Sequence, residues 1–174
     1  MKKKLGLLLI PLLVLIDQLT KLYAKTYLQE HGPVTVIKGV FQFRYHTNSG
    51  AAWGMLEDRI WLFVLITLAA LVLLGIIYFR LPAQRKFVPI QIILLFIVSG
   101  AVGNLIDRVS YHYVVDFLYL ELIDFPIFNL ADCYVTMSIA VLVILMIFKY
   151  KEADIDVLFS KKEQTDHKQE LKDE

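Results

Sequence analysis

This sequence of 174 residues contains a single cysteine, and its net charge is close to zero. The single cysteine, Cys133, excludes a fold held by disulfides within the chain. The 18 Lys and Arg residues are offset by 17 Asp and Glu residues, so no large positive field favours nucleic-acid binding. Charged residues make up 20% of the chain, against about 25% in soluble domains, whereas hydrophobic residues make up 57%, against about 45–50%. This composition excludes a largely disordered chain and indicates a small membrane protein.

Four segments of the sequence are long and apolar enough to cross a bilayer, which takes about 20 residues of helix. The second and third segments contain no charge, the fourth contains Asp132 alone, and the first carries Asp17 and Lys21 in its later half. We predict a single domain over residues 1–151, with helices at about 5–24, 60–79, 87–106 and 126–148.

Basic residues give the expected orientation of these helices. They cluster before the first helix, between the second and third, and after the fourth, at Lys2, Lys3, Lys4, Arg80, Arg85, Lys86, Lys149 and Lys151. Because cytoplasmic loops are rich in Lys and Arg, we expect both termini in the cytoplasm and the loops 25–59 and 107–125 outside. The charged segment 152–174 is expected to form a solvated cytoplasmic tail. The chain begins like a secretory signal, but no small-residue cleavage site follows, so we expect a retained helix.

The first outer loop contains a strand pattern. Val34–Ile37 and Val40–His46 alternate β-branched and aromatic residues on either side of Gly39, which predicts a short sheet on the outer surface. The predicted fold is therefore an all-α membrane protein with four transmembrane helices, both termini cytoplasmic, and a small extracytoplasmic sheet.

Polar residues of three helices lie at a similar predicted depth. At a rise of about 1.5 Å per residue, Asp17, Lys21, Asn104 and Asp132 lie about 20, 25, 27 and 25 Å from the basic residue at the cytoplasmic end of their helix. Ionisable residues inside a membrane cost about 2.5–3.5 kcal/mol on insertion scales and usually face a polar cavity. Their common depth predicts one polar site near the outer interface.

Helical spacing gives this site a local geometry. Asn104, Asp107 and Arg108 share one face at the outer end of the third helix, and Asn129 shares a face of the fourth helix with Asp132. A group of small residues lets the third helix approach its neighbours closely: Ser99, Gly100, Ala101 and Gly103.

Four charged residues have more than one interpretation. Asp17 and Lys21 are spaced i,i+4, and we expect an ion pair that supports the first helix against the bundle. Arg108 either extends to the membrane interface or contacts a substrate, and its place one turn from the polar site favours contact. Asp116 lies in the second outer loop, and spacing alone does not show whether it meets Asp132.

Two carboxylates at a shared, poorly hydrated site can hold one proton between them, because two ionised groups repel. One carboxylate can then accept a proton from water while the other donates a proton to the substrate, as in aspartic proteases. A zinc site is not favoured, since the sequence has no HExxH motif and only four scattered histidines. Ser49 and Ser110 keep nucleophilic catalysis open, although no known motif surrounds them.

A small proton-coupled transporter or lipid-binding membrane protein is the alternative from a different class, with the carboxylates as a proton relay. Transporters often contain inverted repeats and broken helices, and the sequence shows neither clearly. The polar residues also gather at one depth instead of following a path across the membrane. The pattern therefore favours a surface site over a conduit.

Five blocks of the sequence resemble the lipoprotein signal peptidase of bacteria, also called signal peptidase II. In the order of that family they are DQLTK (17–21), NSGAAWG (48–54), GAVGNLIDR (100–108), VVDF (114–117) and FNLADCY (128–134). Together with the four helices, they cover nearly all of residues 5–148. The segment beyond Lys151 lies outside the family pattern, and the resemblance gives it no role.

The resemblance implies an intramembrane aspartyl endopeptidase of the bacterial cell membrane, with its active site near the outer face and a small β-cradle beside it. Its implied partners are membrane lipid and diacylglyceryl-modified prolipoproteins, which it would cleave immediately before the lipidated cysteine. The resemblance also implies inhibition by globomycin, a cyclic lipopeptide similar to the substrate. It implies no metal or organic cofactor. Asp116 and Asp132 match the catalytic dyad.

The resemblance extends to the surrounding polar residues. Asn104 and Arg108 match positions that contact the backbone of the substrate or inhibitor, and Asn48 matches an outer-loop residue near the substrate. Asn129 and Asp17 match further invariant polar positions. We expect Asn104 and Asn129 to orient the carboxylates or the bound peptide.

Overall fold

The computed structural model of the chain describes residues 3–50, 59–151 and 154. Residues 51–58 lie outside the described residues, and with them Trp53 and most of the NSGAAWG block. The 152–174 tail, apart from Asp154, lies outside them as well. The predictions made for these two segments therefore stay predictions.

Within the described ranges, four helices are long and apolar enough to cross a membrane, which confirms the four predicted spans. Helix α1 covers Leu9–Tyr23, α2 covers Ile60–Arg80, α3 covers Val88–Tyr111 and α4 covers Leu130–Phe148. A helical turn, Lys3–Gly6, precedes α1, and a 3₁₀ turn, Arg85–Phe87, precedes α3.

Three helix ends differ from the apolar runs that predicted them. The chain remains helical after α1, through a π-helical segment at Ala24–Leu28 and a last turn at Gln29–His31. Helix α3 extends to Tyr111, beyond the end of its apolar run, because its last polar residues face the polar site. Helix α4 begins at Leu130, several residues after the predicted start at about 126, because Phe128 forms a β-bridge with Leu118.

Helix α3 is central in the bundle and contacts α1, α2 and α4. Two glycines allow its close approach to α1 and α4, as the small residues predicted. A Cβ atom at Gly100 would overlap the carbonyl oxygen of Ala131 in α4. A Cβ atom at Gly103 would lie 2.5 Å from Oδ2 of Asp17 in α1. The backbone of α3 therefore packs directly against both helices at the depth of the polar residues.

An antiparallel sheet of three strands, in the order β1–β2–β3, covers one end of the bundle. Strands β1 (Val34–Ile37) and β2 (Phe41–Asn48) form the predicted hairpin, and Gly39 supplies the left-handed backbone of its turn at φ 72°. Strand β3 (Val114–Tyr119) was not predicted, because its run of buried residues lacks the alternation of a half-exposed strand.

The sheet docks on the end of the first membrane span through a small apolar cluster. Val115 and Phe117 of β3 pack there with Ala24 and Leu28 of the π-helical segment. Because side chains alternate along a strand, Asp116 then points to the opposite face of β3. The docking contact therefore determines which way this carboxylate faces.

The opposite end of the bundle has its own apolar cluster, in which Phe87 and Tyr150 stack with ring centroids 6.1 Å apart. The Tyr150 hydroxyl donates a hydrogen bond of 2.7 Å to the carbonyl oxygen of Lys86. The Lys86 ammonium pairs with Asp154 at 2.5 Å. These contacts fasten the segment after α4 to the turn before α3.

Candidate active site

Asn129 is the N-cap of α4 and brings that helix to the edge of the sheet. The preceding residue, Phe128, exchanges backbone hydrogen bonds of 2.8 and 3.0 Å with Leu118 of β3. The Asn129 side chain accepts a hydrogen bond of 3.0 Å from the backbone N–H of Asp132, and Asp132 Oδ2 accepts one of 3.0 Å from the backbone N–H of Asn129. This capping box fixes the Asp132 carboxylate in the first turn of α4.

Asp116 lies on β3 beside this cap and is 1% exposed. Its Oδ1 accepts a hydrogen bond of 2.6 Å from Asn129 Nδ2, and its Oδ2 accepts one of 3.0 Å from Asn48 Nδ2 on β2. Asn129 therefore hydrogen-bonds both aspartates, Asp116 through its side chain and Asp132 through its backbone. Elements distant in sequence bring the two carboxylates into one network.

Asn104 on α3 joins this network from a third side. Its Nδ2 donates a hydrogen bond of 2.7 Å to Asp132 Oδ1. Its Oδ1 accepts hydrogen bonds of 3.1 Å from Asn129 Nδ2 and 2.9 Å from Lys21 Nζ. Polar residues of α1, α3 and α4 therefore form one connected group, which confirms that they share one site.

The ion pair expected within α1 is present and includes a third residue. Lys21 Nζ lies 2.9 Å from Asp17 Oδ2 and 3.1 Å from Asp107 Oδ2. Asp17 Oδ1 accepts a hydrogen bond of 3.0 Å from the backbone N–H of Ala131, one residue before Asp132. Asp17 therefore links α1 to the N-terminus of α4.

Asp107, which the sequence placed on the helix face of Asn104 without giving it a role, is a buried member of the network. It is 1% exposed, and its Oδ2 accepts a hydrogen bond of 3.1 Å from the backbone N–H of Val115, next to Asp116. Its Oδ1 accepts one of 3.0 Å from Gln18 Nε2. The i,i+3 spacing predicted the face that Asp107 shares with Asn104, and its contacts with Lys21 and Val115 give it a place in the network.

Both aspartates line a cavity of about 1150 Å³ between the sheet and α4. Arg108 and Asn48 lie on its wall. Arg108 lies over the Phe63 ring of α2, with its Cζ atom 5.0 Å from the ring centroid. The other lining residues are Arg44, His46, Thr47, Ser49, Gly50, Tyr119, Asp124, Phe125, Pro126, Ile127, Phe128, Cys133, Thr136 and Met137.

The pKa of Asp116 is raised from 3.8 to about 7, mainly by burial and also by the nearby charge of Asp132. Hydrogen bonds from Asn48 and Asn129 and the charge of Lys21 oppose this rise. Near neutral pH the Asp116 carboxyl is therefore able to hold a proton. Asp132 is half-buried and accepts one N–H group on each of its carboxyl oxygens.

Comparisons with known proteins agree with this geometry. The sequence profile described as signal peptidase (SPase) II matches residues 9–148. The lipoprotein signal peptidases of Streptococcus pyogenes serotype M5 (strain Manfredo) and serotype M3 (strain SSI-1) are each 39% identical over 154 residues, which is 88% of this chain and 98% of those proteins.

Two solved structures of a bacterial membrane enzyme, at 2.3 and 1.9 Å resolution, share the fold at 32% sequence identity. The first superimposes with a TM-score of 0.74 and covers 86% of this chain and 93% of its own. The second has a TM-score of 0.72 and covers 84% of this chain and 95% of its own.

Proposed function

The chain belongs to the signal peptidase II family, and from that premise we propose that it is an intramembrane aspartyl endopeptidase whose catalytic dyad is Asp116 and Asp132. Its reaction is the removal of signal peptides from prolipoproteins, with cleavage before the diacylglyceryl-modified cysteine. The observation that carries the proposed mechanism is the position of Asn129, which hydrogen-bonds both carboxylates at one end of a large cavity.

The different environments of the two carboxyl groups suggest a different role for each. Asp132 accepts N–H groups on both oxygens and lies in the first turn of α4, an arrangement that suits a carboxylate. Asp116 has a pKa of about 7 and carries the shared proton below that pH. Asp132 is then the general base and Asp116 the general acid.

In the proposed reaction, a water molecule gives a proton to Asp132 while its oxygen bonds to the scissile carbonyl carbon. Asp116 donates its proton to the carbonyl oxygen, so a neutral tetrahedral diol forms. The diol returns one hydroxyl proton to Asp116 as the carbon–nitrogen bond breaks, and Asp132 gives its proton to the leaving nitrogen. The dyad again holds one proton at the end of the cycle, as at the start.

The walls of the cavity suit a substrate that is part peptide and part lipid. Met137 lines the cavity and is also 68% exposed on the apolar surface of α4, so the cavity extends to the lipid-facing side of that helix. Acyl chains can enter from this side. Arg108 and Asn48, on the same cavity, offer N–H donors to the peptide carbonyls near the cleavage site.

The distribution of basic residues supports an orientation with the sheet and the dyad on the extracytoplasmic side. Arg80, Arg85, Lys86 and Lys149 lie at the end of the bundle opposite the sheet, where the positive-inside rule places the cytoplasm. Both termini then lie in the cytoplasm, in a multi-pass protein of the bacterial cell membrane. A globomycin-type lipopeptide, which combines an acyl chain with a peptide ring, would occupy the same cavity as the substrate.

The direct experiment is cleavage of a lipid-modified precursor by purified Asp116→Asn and Asp132→Asn variants. Each should lose cleavage by several orders of magnitude, because either substitution removes one of the two proton carriers. Asp124→Asn is the matched control: this carboxylate lies on the same cavity but bonds the Tyr119 hydroxyl at 2.6 Å, and its loss should change the rate only a few-fold. Near-normal cleavage by either dyad variant would contradict the proposal, and proton flux in liposomes without any cleavage would favour the transporter alternative.

A further inference from the structure

Lys21 is a buried lysine whose hydrogen bonds exceed what a simple ion pair requires. The residue is 2% exposed, and an ammonium group has three N–H donors. Two of them face carboxylates, at 2.9 Å from Asp17 and 3.1 Å from Asp107. The third faces the amide oxygen of Asn104 at 2.9 Å. The two carboxylates already neutralise the lysine, so the third hydrogen bond is not needed to balance its charge.

This third hydrogen bond determines which way the Asn104 amide points. An asparagine amide has an acceptor oxygen on one side and two N–H donors on the other. On the oxygen side of Asn104 lie two donors, Lys21 Nζ and Asn129 Nδ2. On its nitrogen side lies an acceptor, Asp132 Oδ1, at 2.7 Å. A flipped amide would direct its N–H groups at two donors and its oxygen at a carboxylate.

We propose that Lys21 is a positioning residue for the catalytic dyad, which acts by holding the Asn104 amide so that its N–H donates to Asp132 Oδ1. This inference rests on the proposed function, since it assigns Lys21 a role in the reaction of Asp116 and Asp132. Asn129 alone does not secure the same orientation, because its Nδ2 also donates the shorter hydrogen bond of 2.6 Å to Asp116.

A lysine that only ties α1 to α3 would affect stability alone, whereas a positioning lysine would also affect the rate of cleavage. Removal of one partner from a buried ion pair is strongly destabilising, whereas removal of both partners together is often tolerated. The double variant Asp17→Asn/Lys21→Met removes such a pair. Asn at position 17 keeps an oxygen for the backbone N–H of Ala131, and Asp107 keeps its donors Gln18 and Val115.

The test compares the full chain with Asp17→Asn alone, Lys21→Met alone and both together, in detergent micelles with a lipid-modified precursor. We expect Lys21→Met to lower Tm, and the double variant to recover part of that loss, since only Asp107 is then left without its ammonium partner. The kcat of the double variant should nevertheless stay about 100-fold below that of Asp17→Asn, with KM within twofold, because a misplaced catalytic group affects chemistry more than binding. Lys86→Met, at the exposed ion pair with Asp154, is the matched lysine control and should leave kcat unchanged. A kcat that recovers together with Tm would overturn the proposal.

A mutant cycle tests the route through Asn104. If Lys21 acts through Asn104, adding Lys21→Met to an Asp17→Asn/Asn104→Ala background should change kcat less than twofold, because the amide it positions is already absent. If the losses in kcat from Lys21→Met and from Asn104→Ala simply add, the proposal is also overturned. The proposed function itself fails if the unmodified chain does not cleave the precursor or if Asp116→Asn still does. The inference about Lys21 fails alone when both of those controls behave as expected and the double variant cleaves like Asp17→Asn.

Discussion

Asn129 and Asp132 cap α4 reciprocally, since the side chain of each accepts a hydrogen bond of 3.0 Å from the backbone N–H of the other. Such a cap contributes about 1 kcal/mol to helix stability. The same geometry holds one oxygen of Asp132 in the helix terminus and leaves the other for Asn104. A proposed catalytic carboxylate is thus placed by the same hydrogen bonds that begin its helix.

The pH dependence of cleavage should follow the proton on Asp116. Its pKa is about 7, raised first by burial and then by Asp132, so the singly protonated dyad is lost as pH rises above that value. We expect kcat/KM to decline on the alkaline side with an apparent pKa near 7, which belongs to the pair and not to one residue. Rates measured from pH 5 to 9 on a precursor without titrating side chains near the cleavage site test this. A rate that still increases between pH 8 and 9 would contradict it.

Asn48→Ala should move that alkaline limb to higher pH. The Asn48 side chain donates to Asp116 Oδ2 and thereby lowers the pKa of Asp116, so its removal leaves the proton bound over a wider range. The variant should retain more of its own maximal rate at pH 8 than the unmodified chain does. Thr35→Ala, on the edge strand β1, serves as a control and should leave the profile in place. A shift of the alkaline limb to lower pH would show that the Asn48 hydrogen bond does not lower the pKa of Asp116.

Asp116→Asn should raise Tm, and by more at pH 8 than at pH 5. The folded-state pKa of about 7 exceeds the ordinary value of 3.8, so the folded chain binds this proton more tightly than the unfolded chain. The contribution of Asp116 to stability is therefore fully present below about pH 4 and is lost as pH rises through about 7. Asparagine carries no charge at either pH. Thermal unfolding in detergent at the two pH values measures the difference, and an equal gain at both would count against it.

Gly100→Ala should destabilise the bundle and reduce cleavage. The added methyl group overlaps the carbonyl oxygen of Ala131, which is backbone and cannot rotate away, so α4 must shift together with Asp132. Overpacking of this kind costs about 1–3 kcal/mol. Gly75→Ala on α2 is the matched control, since nothing lies within 4 Å of its added Cβ atom, and it should be neutral or stabilising by about 0.5–1 kcal/mol. Equal effects of the two substitutions on Tm would exclude the packing argument.

Modification of Cys133 should block cleavage. This residue is the only cysteine of the chain, is half-buried, and lines the cavity next to Asp132. A small thiol-reactive reagent that enters the cavity would add bulk where the peptide has to bind. Cys133→Ala should cleave at a similar rate and resist the reagent. Inactivation of Cys133→Ala by the same reagent would show that the effect arises elsewhere.

The sequence predicted the helices and the depth of the polar site well, because both depend on local quantities. Apolar length determines the spans, and a constant rise per residue places Asp17, Asn104 and Asp132 at one level. The sequence did not predict strand β3, nor the continuation of the helices to His31 and to Tyr111. These features depend on contacts between distant segments, such as the cluster that docks the sheet.

The meeting of Asp116 with Asp132 was implied by family resemblance and not by residue spacing. It depends on the pairing of Leu118 with Phe128, a contact that no periodicity in either segment indicates. The burial of Asp107 was not predicted, for a related reason. A carboxylate at the end of an apolar run is equally typical of an interfacial residue, and only the continued helix shows that it is buried.

The two carboxylates belong to different kinds of secondary structure, Asp116 to a strand and Asp132 to a helix. In the folded chain the strand meets the helix beside the cluster that docks the sheet on the end of the first span. A chain whose helices have inserted but whose sheet is undocked would lack Asp116 at the site, and on the proposed mechanism it would have no protease activity. Newly made copies would remain inert towards neighbouring membrane proteins until they finish folding, without a separate propeptide or inhibitor to restrain them.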